Sequence, residues 1–577
     1  MTARGAAFII GEMTFPSRFT APALPDHRSC WTTLALVVML STPGAFASIL
    51  DSANASGSFG LYPAGNFRIT TGACTDCPTL RQALWYFRAE TIAIPRTGMP
   101  VAAWTPGVHA YDDILQWAGT RPVDAAIDYP PLVWIAAPEV ARHARMSADG
   151  RVLMTLDGAL PFRPVAKIPL NRSYYDASSV AWFGDRALTV RGTSTPEGFI
   201  ARSFWPDAWA FGPGTPTMRA VPMAGSEGEA LRMLMREEPR GGAQSPYQAS
   251  MLWQRNGVDP SLAGRTVLGF MVNGAQGDDD EAHGGHFALV TGRVQSDGSI
   301  GDWLVNNFYS LDVESEKGII AAPLPLDNYL ADLNSGQGWY RPTTIVVAVL
   351  RDERAAVLVQ SALNRVYNQF YRHQLEYYHP SDNCTSISVD TLRALGWNVP
   401  VRGPTSKILA WLGFPWVALK ELSLDKAKVA FDYLYTDQTR LMPAAALEEI
   451  FGSLIAMSRG QPTPAQGSLG TMLAEDLEGL AFLRFPQFPS SRRFGNAPAV
   501  TTWEYEKLIP KNPALRQIVP VPPRPFPEEL RDPDLLRRAW RPSDTALVVW
   551  SLFTVVGAPF AVWRVWKWRR SRRGAPA

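Results

Sequence analysis

The sequence predicts an α+β fold: an antiparallel sheet with a cysteine-bearing helix beside it, a strand-rich N-terminal region, a helical C-terminal region and one C-terminal transmembrane helix. Three observations predict it. Short β-forming runs bounded by turn residues recur up to about residue 310, among them Leu268–Val272, His286–Val290 and Trp303–Tyr309. Helical periodicity takes over from residue 353, where Val357, Leu363, Val366, Tyr367, Phe370, Tyr371 and Leu375 form an apolar stripe. Thr545–Trp563 then runs 19 residues without a charge and is followed at once by basic residues.

In chain order, Arg18 and Arg28 precede an apolar run, Leu34–Leu40, that is too short to span a bilayer. Ala45-Phe46-Ala47 then offers a small-x-small cleavage site. Residues 1–47 read as an export signal, with the mature chain starting near Ser48. No cysteine stands at the cleavage point, so lipoprotein processing is not indicated.

Residues 48–245 read as an N-terminal accessory domain. Phe67–Thr71 is a strand, Cys74-Thr75-Asp76-Cys77 a turn, and Leu80, Leu84, Tyr86 and Phe87 mark a helix. A CxxC pair between strand and helix is compatible with a redox centre. Zinc would need two further ligands, and there is no second pair. A local disulfide between Cys74 and Cys77 is the expectation for an exported chain. Pro130–Ile135 and Gly150–Thr155 read as strands, and residues 224–245 as a short helix with a polar link.

Residues 246–400 carry the candidate chemistry. Leu268–Val272 is a strand, followed by the acidic loop Asp278-Asp279-Asp280-Glu281 beside His283 and His286. The acids are adjacent rather than spaced on one face, so the loop reads as solvated and no metal or cofactor is expected. Gly284-Gly285-His286-Phe287-Ala288-Leu289-Val290-Thr291-Gly292 reads as a strand with His286 at its mouth. After a turn at Asp297-Gly298, Trp303–Tyr309 would pair with it antiparallel. An asparagine there can hold an imidazole in its productive tautomer. Asn306 and Asn307 point to opposite faces, so only one can serve, with Asn307 preferred.

The helix beginning near residue 353 leads into His379-Pro380-Ser381-Asp382-Asn383-Cys384-Thr385. Pro380 keeps the turn out of the helix, and Ser381, Asp382 or Asn383 can cap the next one. Gly396 closes it. Cys384 then lies in a first helical turn, where the helix dipole favours a thiolate, and His286 is its candidate base. His379, in the turn beside Pro380, is the rival base and reads as a surface or turn residue.

A Gly-Gly-His-Phe strand, a polar residue on the next strand and a later Asp-Asn-Cys-Thr helix start resemble the circularly permuted branch of the NlpC/P60 papain-like superfamily. Within it they look most like the periplasmic domain of the bacterial lipoprotein N-acyltransferase family. The resemblance covers roughly residues 260–400. It implies a papain-like core and a Cys384–His286 pair, with a polar third member that no motif of the resemblance pins. It also implies thioester chemistry on lipid, lipoprotein or cell-wall peptide. A non-catalytic envelope scaffold with the same fold is the alternative.

Residues 401–540 read as a helical region passing into a Pro-rich connector, with Val519–Pro525 as its clearest stretch. Ile408–Val417 is apolar enough to be core or to rest on a membrane surface. Thr545–Trp563 is the expected span, and the basic tail 564–577 places that end in the cytoplasm. The expected location is the bacterial inner membrane, single pass, with the bulk of the chain in the periplasm. The 55 basic and 53 acidic residues give a net charge of +2, and no basic face for nucleic acid is evident.

Overall fold

Seven strands form one antiparallel sheet in the order Gln248–Gln254, Leu477–Phe485, Thr343–Leu350, Thr266–Asn273, His286–Arg293, Leu304–Asn307 and Ala322–Pro325. The computed structural model describes residues 49–55, 57–168, 174–215, 230–231, 234–235, 246–274, 285–311, 321–461, 467–491, 526–532, 549 and 558–573. Leu477–Phe485, Thr343–Leu350 and Thr266–Asn273 are buried along their whole length. That is why they read as nearly unbroken apolar runs rather than alternating ones. The register sets the site: His286 pairs with Asn273 at the end of its strand, and Leu289 pairs with Asn306 on the next.

The strand Leu477–Phe485 comes from the region read as helices and Pro-rich connector. It lies between Gln248–Gln254 and Thr343–Leu350, so the sheet draws on sequence far beyond residue 400.

The N-terminal region contributes a six-stranded sheet, in which Gly198–Pro206 pairs in parallel with Gly158–Pro164, and a three-stranded sheet of Phe67–Thr71, Thr91–Pro95 and Val133–Trp134. It shares one continuous apolar core with the seven-stranded sheet. Residues from Phe46 onward form a single compact unit. Ion pairs stitch the two parts together: Arg202 Nε lies 2.7 Å from Asp332 Oδ2, and Arg191 Nε 2.5 Å from Asp327 Oδ2.

The helix expected from residue 353 spans Arg354–Tyr371, and its polar face is buried as well as its apolar one. The N-terminal region covers that face and satisfies it. Asn364 Nδ2 donates to the Tyr62 hydroxyl at 2.6 Å and to the Asp128 carbonyl at 2.7 Å. Asn368 Nδ2 donates to the Ala102 carbonyl at 2.6 Å. Arg365 forms a two-pronged pair with Asp113, at 3.0 and 2.7 Å, on the helix Ala110–Thr120. On the sheet side, Gln360 accepts from Thr291 Oγ1 at 2.6 Å and donates to Asn306 Oδ1 at 2.9 Å.

The α+β class stands, but the C-terminal transmembrane helix does not. Among the described residues no helix is long and apolar enough to cross a membrane. The helix found there is Ala558–Arg573, which starts near the end of the apolar run and carries Arg564, Lys567 and Arg569 along it. Residues 545–548 and 550–557 lie outside the described residues, as do the export signal 1–47, nearly all of 224–245 and Val519–Pro525.

Candidate functional site

Asn383 is the cap of the cysteine helix Cys384–Ala394. Its side-chain oxygen accepts from the backbone N–H groups of Thr385 at 2.9 Å and Ser386 at 3.0 Å. Ser386 Oγ accepts from the Asn383 N–H at 2.7 Å, completing a capping box. The Asn383 amide also donates to the carbonyls of His379, at 2.9 Å, and Leu441, at 3.2 Å. One side chain therefore fixes both the helix start and the turn before it. At the other end Gly396, at φ +87°, lets Trp397 N–H reach the Leu392 carbonyl at 3.0 Å. That is the Schellman closure that a Cβ would oppose. Arg440 pairs with Asp390 at 2.7 Å and donates to the Ser381 carbonyl at 3.0 Å, tying the helix to the turn.

Replacing Asn383 with alanine is expected to lower stability by about 1 kcal/mol, the usual cost of a lost cap. Chemical denaturation measures this. Faster alkylation of the buried Cys384 at high pH, as the turn loosens, should accompany it.

The helix start packs against the His286 strand. His286 and Cys384 are both buried, at 4 % and 6 % exposure, and the imidazole is close enough to act on the ionisation of the thiol. His286 Nε2 lies 2.7 Å from Asn307 Oδ1. A carbonyl oxygen only accepts, so Nε2 carries the proton and Nδ1 is left to take one from the thiol. Asn306 faces the other way, bonded to Gln360 and to the Leu289 carbonyl, as strand alternation requires.

Burial alone would push the Cys384 thiol up. The charge of His286 opposes it, and only together with hydrogen bonds from His286, the Phe287 backbone N–H and Thr385 does it outweigh burial. The balance pulls the thiol from its ordinary value down to about 7. Thr385 Oγ1 lies 3.9 Å from Sγ. Cys384 is not disulfide-bonded, whereas Cys74 and Cys77 are joined to each other. That pairing agrees with the local-disulfide reading.

The structure adds a residue that sequence reasoning missed. The Tyr377 hydroxyl accepts from the Cys384 backbone N–H at 3.4 Å. Burial, followed by the neighbouring thiol, pushes its ionisation well above the usual tyrosine range, so it stays a donor. Its ring packs against Tyr309, which in turn packs against His286. The available signal was position: Tyr377 sits in the same turn that delivers Cys384. His379 is exposed and packs edge-on against the Tyr377 ring. His283 and Asp278–Glu281 lie outside the described residues.

A cleft of about 660 Å³ lies elsewhere, between Pro78–Gln82 and Glu529–Asp532, and includes none of Cys384, His286 and Asn307. Volume and chemistry thus point to different places, and the convergence of a base, its orienting amide and a lowered thiol is the stronger sign of a reactive site. No family model, no curated protein and no solved structure matches the chain.

Proposed function

We propose that the chain is a cysteine acyl-transfer enzyme, a hydrolase or acyltransferase working through a thioester on lipid, lipoprotein or cell-wall peptide. The observation that carries it is the Cys384–His286–Asn307 line-up at a capped helix start, with the thiol pulled down to about 7. The resemblance to the permuted NlpC/P60 branch supports the same chemistry. The Cys74–Cys77 disulfide supports an oxidising compartment such as the cell envelope.

In this reading His286 Nδ1 takes the Sγ proton and the thiolate attacks the carbonyl carbon of an ester or amide. Asn307 holds the imidazolium that forms. The Cys384 N–H and the Tyr377 O–H, which meet at 3.4 Å, would turn to the carbonyl oxygen as it gains charge. The carbon–oxygen or carbon–nitrogen bond breaks as His286 returns its proton to the leaving alcohol or amine, and Sγ keeps the acyl group. Water or an amine, deprotonated by His286, then attacks the thioester and restores the thiol.

The test is consumption of three donor classes by the full chain: a phospholipid ester, a diacylated lipopeptide and a muropeptide. At least one should be consumed, and Cys384→Ser should abolish this. No consumption, or equal consumption by Cys384→Ser, contradicts the reading. Tyr377→Phe is expected to slow turnover about a hundredfold, as loss of one oxyanion donor does. Alkylation of Cys384 should change far less.

The burial of Cys384 favours a second reading, a non-catalytic envelope module that keeps the fold. An unreactive thiol across the pH range would select it.

A further inference from the structure

We infer that the helical hairpin Lys407–Glu421 and Leu424–Tyr435 is a docking surface for an anionic lipid bilayer. The two helices pack on a small cluster of their own, Ala410, Phe414, Ala427 and Phe431, separate from the main core. What they turn outward is apolar. Ile408 is 71 % exposed, Trp416 61 % and Leu422, at the tip, 89 %, with Leu412, Leu419 and Leu424 also exposed. Ile408, Leu412, Trp416 and Leu419 recur at helical spacing, so they form one stripe that runs to the tip. A surface stripe of this size is a binding face.

Charge selects the occupant. Lys407 and Lys420 border the stripe, with their ammonium groups 5.9 Å from the Tyr435 ring and 5.0 Å from the Trp416 ring. An apolar ridge edged by lysine and tryptophan suits the boundary between acyl chains and headgroups. Of the hairpin's three acids, Glu421 is engaged by Lys426 at 3.2 Å and Asp432 by Lys428 at 2.8 Å, which leaves the exposed Asp425 against the four lysines Lys407, Lys420, Lys426 and Lys428. A second element points to the same partner. The helix Ala558–Arg573 contains no acid and exposes Trp563, Trp566 and Trp568 among basic residues. Position links the hairpin to the chemistry. Tyr378, in the turn before Cys384, donates to Asp432 at 3.0 Å. Resting on the proposed acyl-transfer reading, the hairpin would bring Cys384 to lipid-borne acyl groups.

The test uses the full chain with Leu422→Cys carrying an environment-sensitive fluorophore, in a Cys30→Ser, Cys384→Ser background so that only the tip is labelled. Vesicles of phosphatidylglycerol and phosphatidylcholine should shift the emission to the blue, and pure phosphatidylcholine should do so with about tenfold weaker binding. Leu412→Glu with Trp416→Glu, both surface changes, should weaken vesicle binding by about tenfold or more. The proposal is overturned if the probe stays in water while the protein floats with vesicles. It is also overturned if the shift appears without vesicles and grows with protein concentration, which would assign the face to a second copy. None of these readouts needs acyl chemistry, so failure here leaves the enzyme reading untouched, and the reverse.

Discussion

His286→Ala is expected to slow acyl transfer about a thousandfold, within the range for a lost general base. It should also move the alkylation profile of Cys384. In the wild type, labelling should rise as pH climbs through about 7, because that is where the thiol ionises. Without the imidazole, burial acts unopposed and the midpoint should pass the ordinary thiol value. At pH 7 the thiolate fraction would then fall from about half to about 3 %, a roughly fifteenfold slower alkylation. Acyl transfer by the wild type should share the lower limb: lost as pH falls below 7, regained above it. Asn307→Ala should reduce the rate with a smaller shift of midpoint, since it orients the ring rather than charging it. A midpoint that ignores His286 would contradict the assignment.

Asp113→Ala should be the most damaging substitution outside the site. The carboxylate meets Arg365 through both of its oxygens, accepts from Gln369 at 3.2 Å and caps the Thr105 N–H at 3.0 Å. Arg365 is buried, with its guanidinium also 5.3 Å from the Trp117 ring. Removing one partner strands a charge in the interior, at a cost of about 3–5 kcal/mol. A shift in the urea midpoint reads this. Arg365→Met in the same chain should recover much of the loss, because the stranded charge rather than the missing volume dominates. A cost below about 1 kcal/mol would show that the pair is not the clamp between the N-terminal region and the helix that leads to Cys384.

The site was legible because each of its parts carries a local signal. Gly285 followed by a β-forming run places His286 at a strand mouth, alternation separates Asn306 from Asn307, and Ser381, Asp382 and Asn383 after Pro380 mark a helix start. Tyr377 was not legible, since its role depends on how a turn folds back onto the helix start and no spacing announces that. Fold class followed from period, but the partners of each element did not. Leu477–Phe485 lies in the stretch read as helices and Pro-rich connector, and only long-range pairing makes it a strand of the sheet. The polar side of Arg354–Tyr371 looked amphipathic in the ordinary way. It is buried because the N-terminal region supplies partners for Asn364, Arg365 and Asn368, information held some 250 residues earlier. The C-terminal span was inferred from an uncharged run and the basic residues that follow it, whereas the described helix there, Ala558–Arg573, carries basic residues along its length.

The most direct test of the central claim is the intact mass of the full chain after brief exposure to an activated acyl ester at pH 7. The account predicts one acyl group added, on Cys384 by peptide mapping, released by neutral hydroxylamine as a thioester must be. The adduct should be absent from Cys384→Ser and strongly reduced in His286→Ala. A wild-type chain that gains no acyl group, or one that gains it equally without Cys384, would contradict the account.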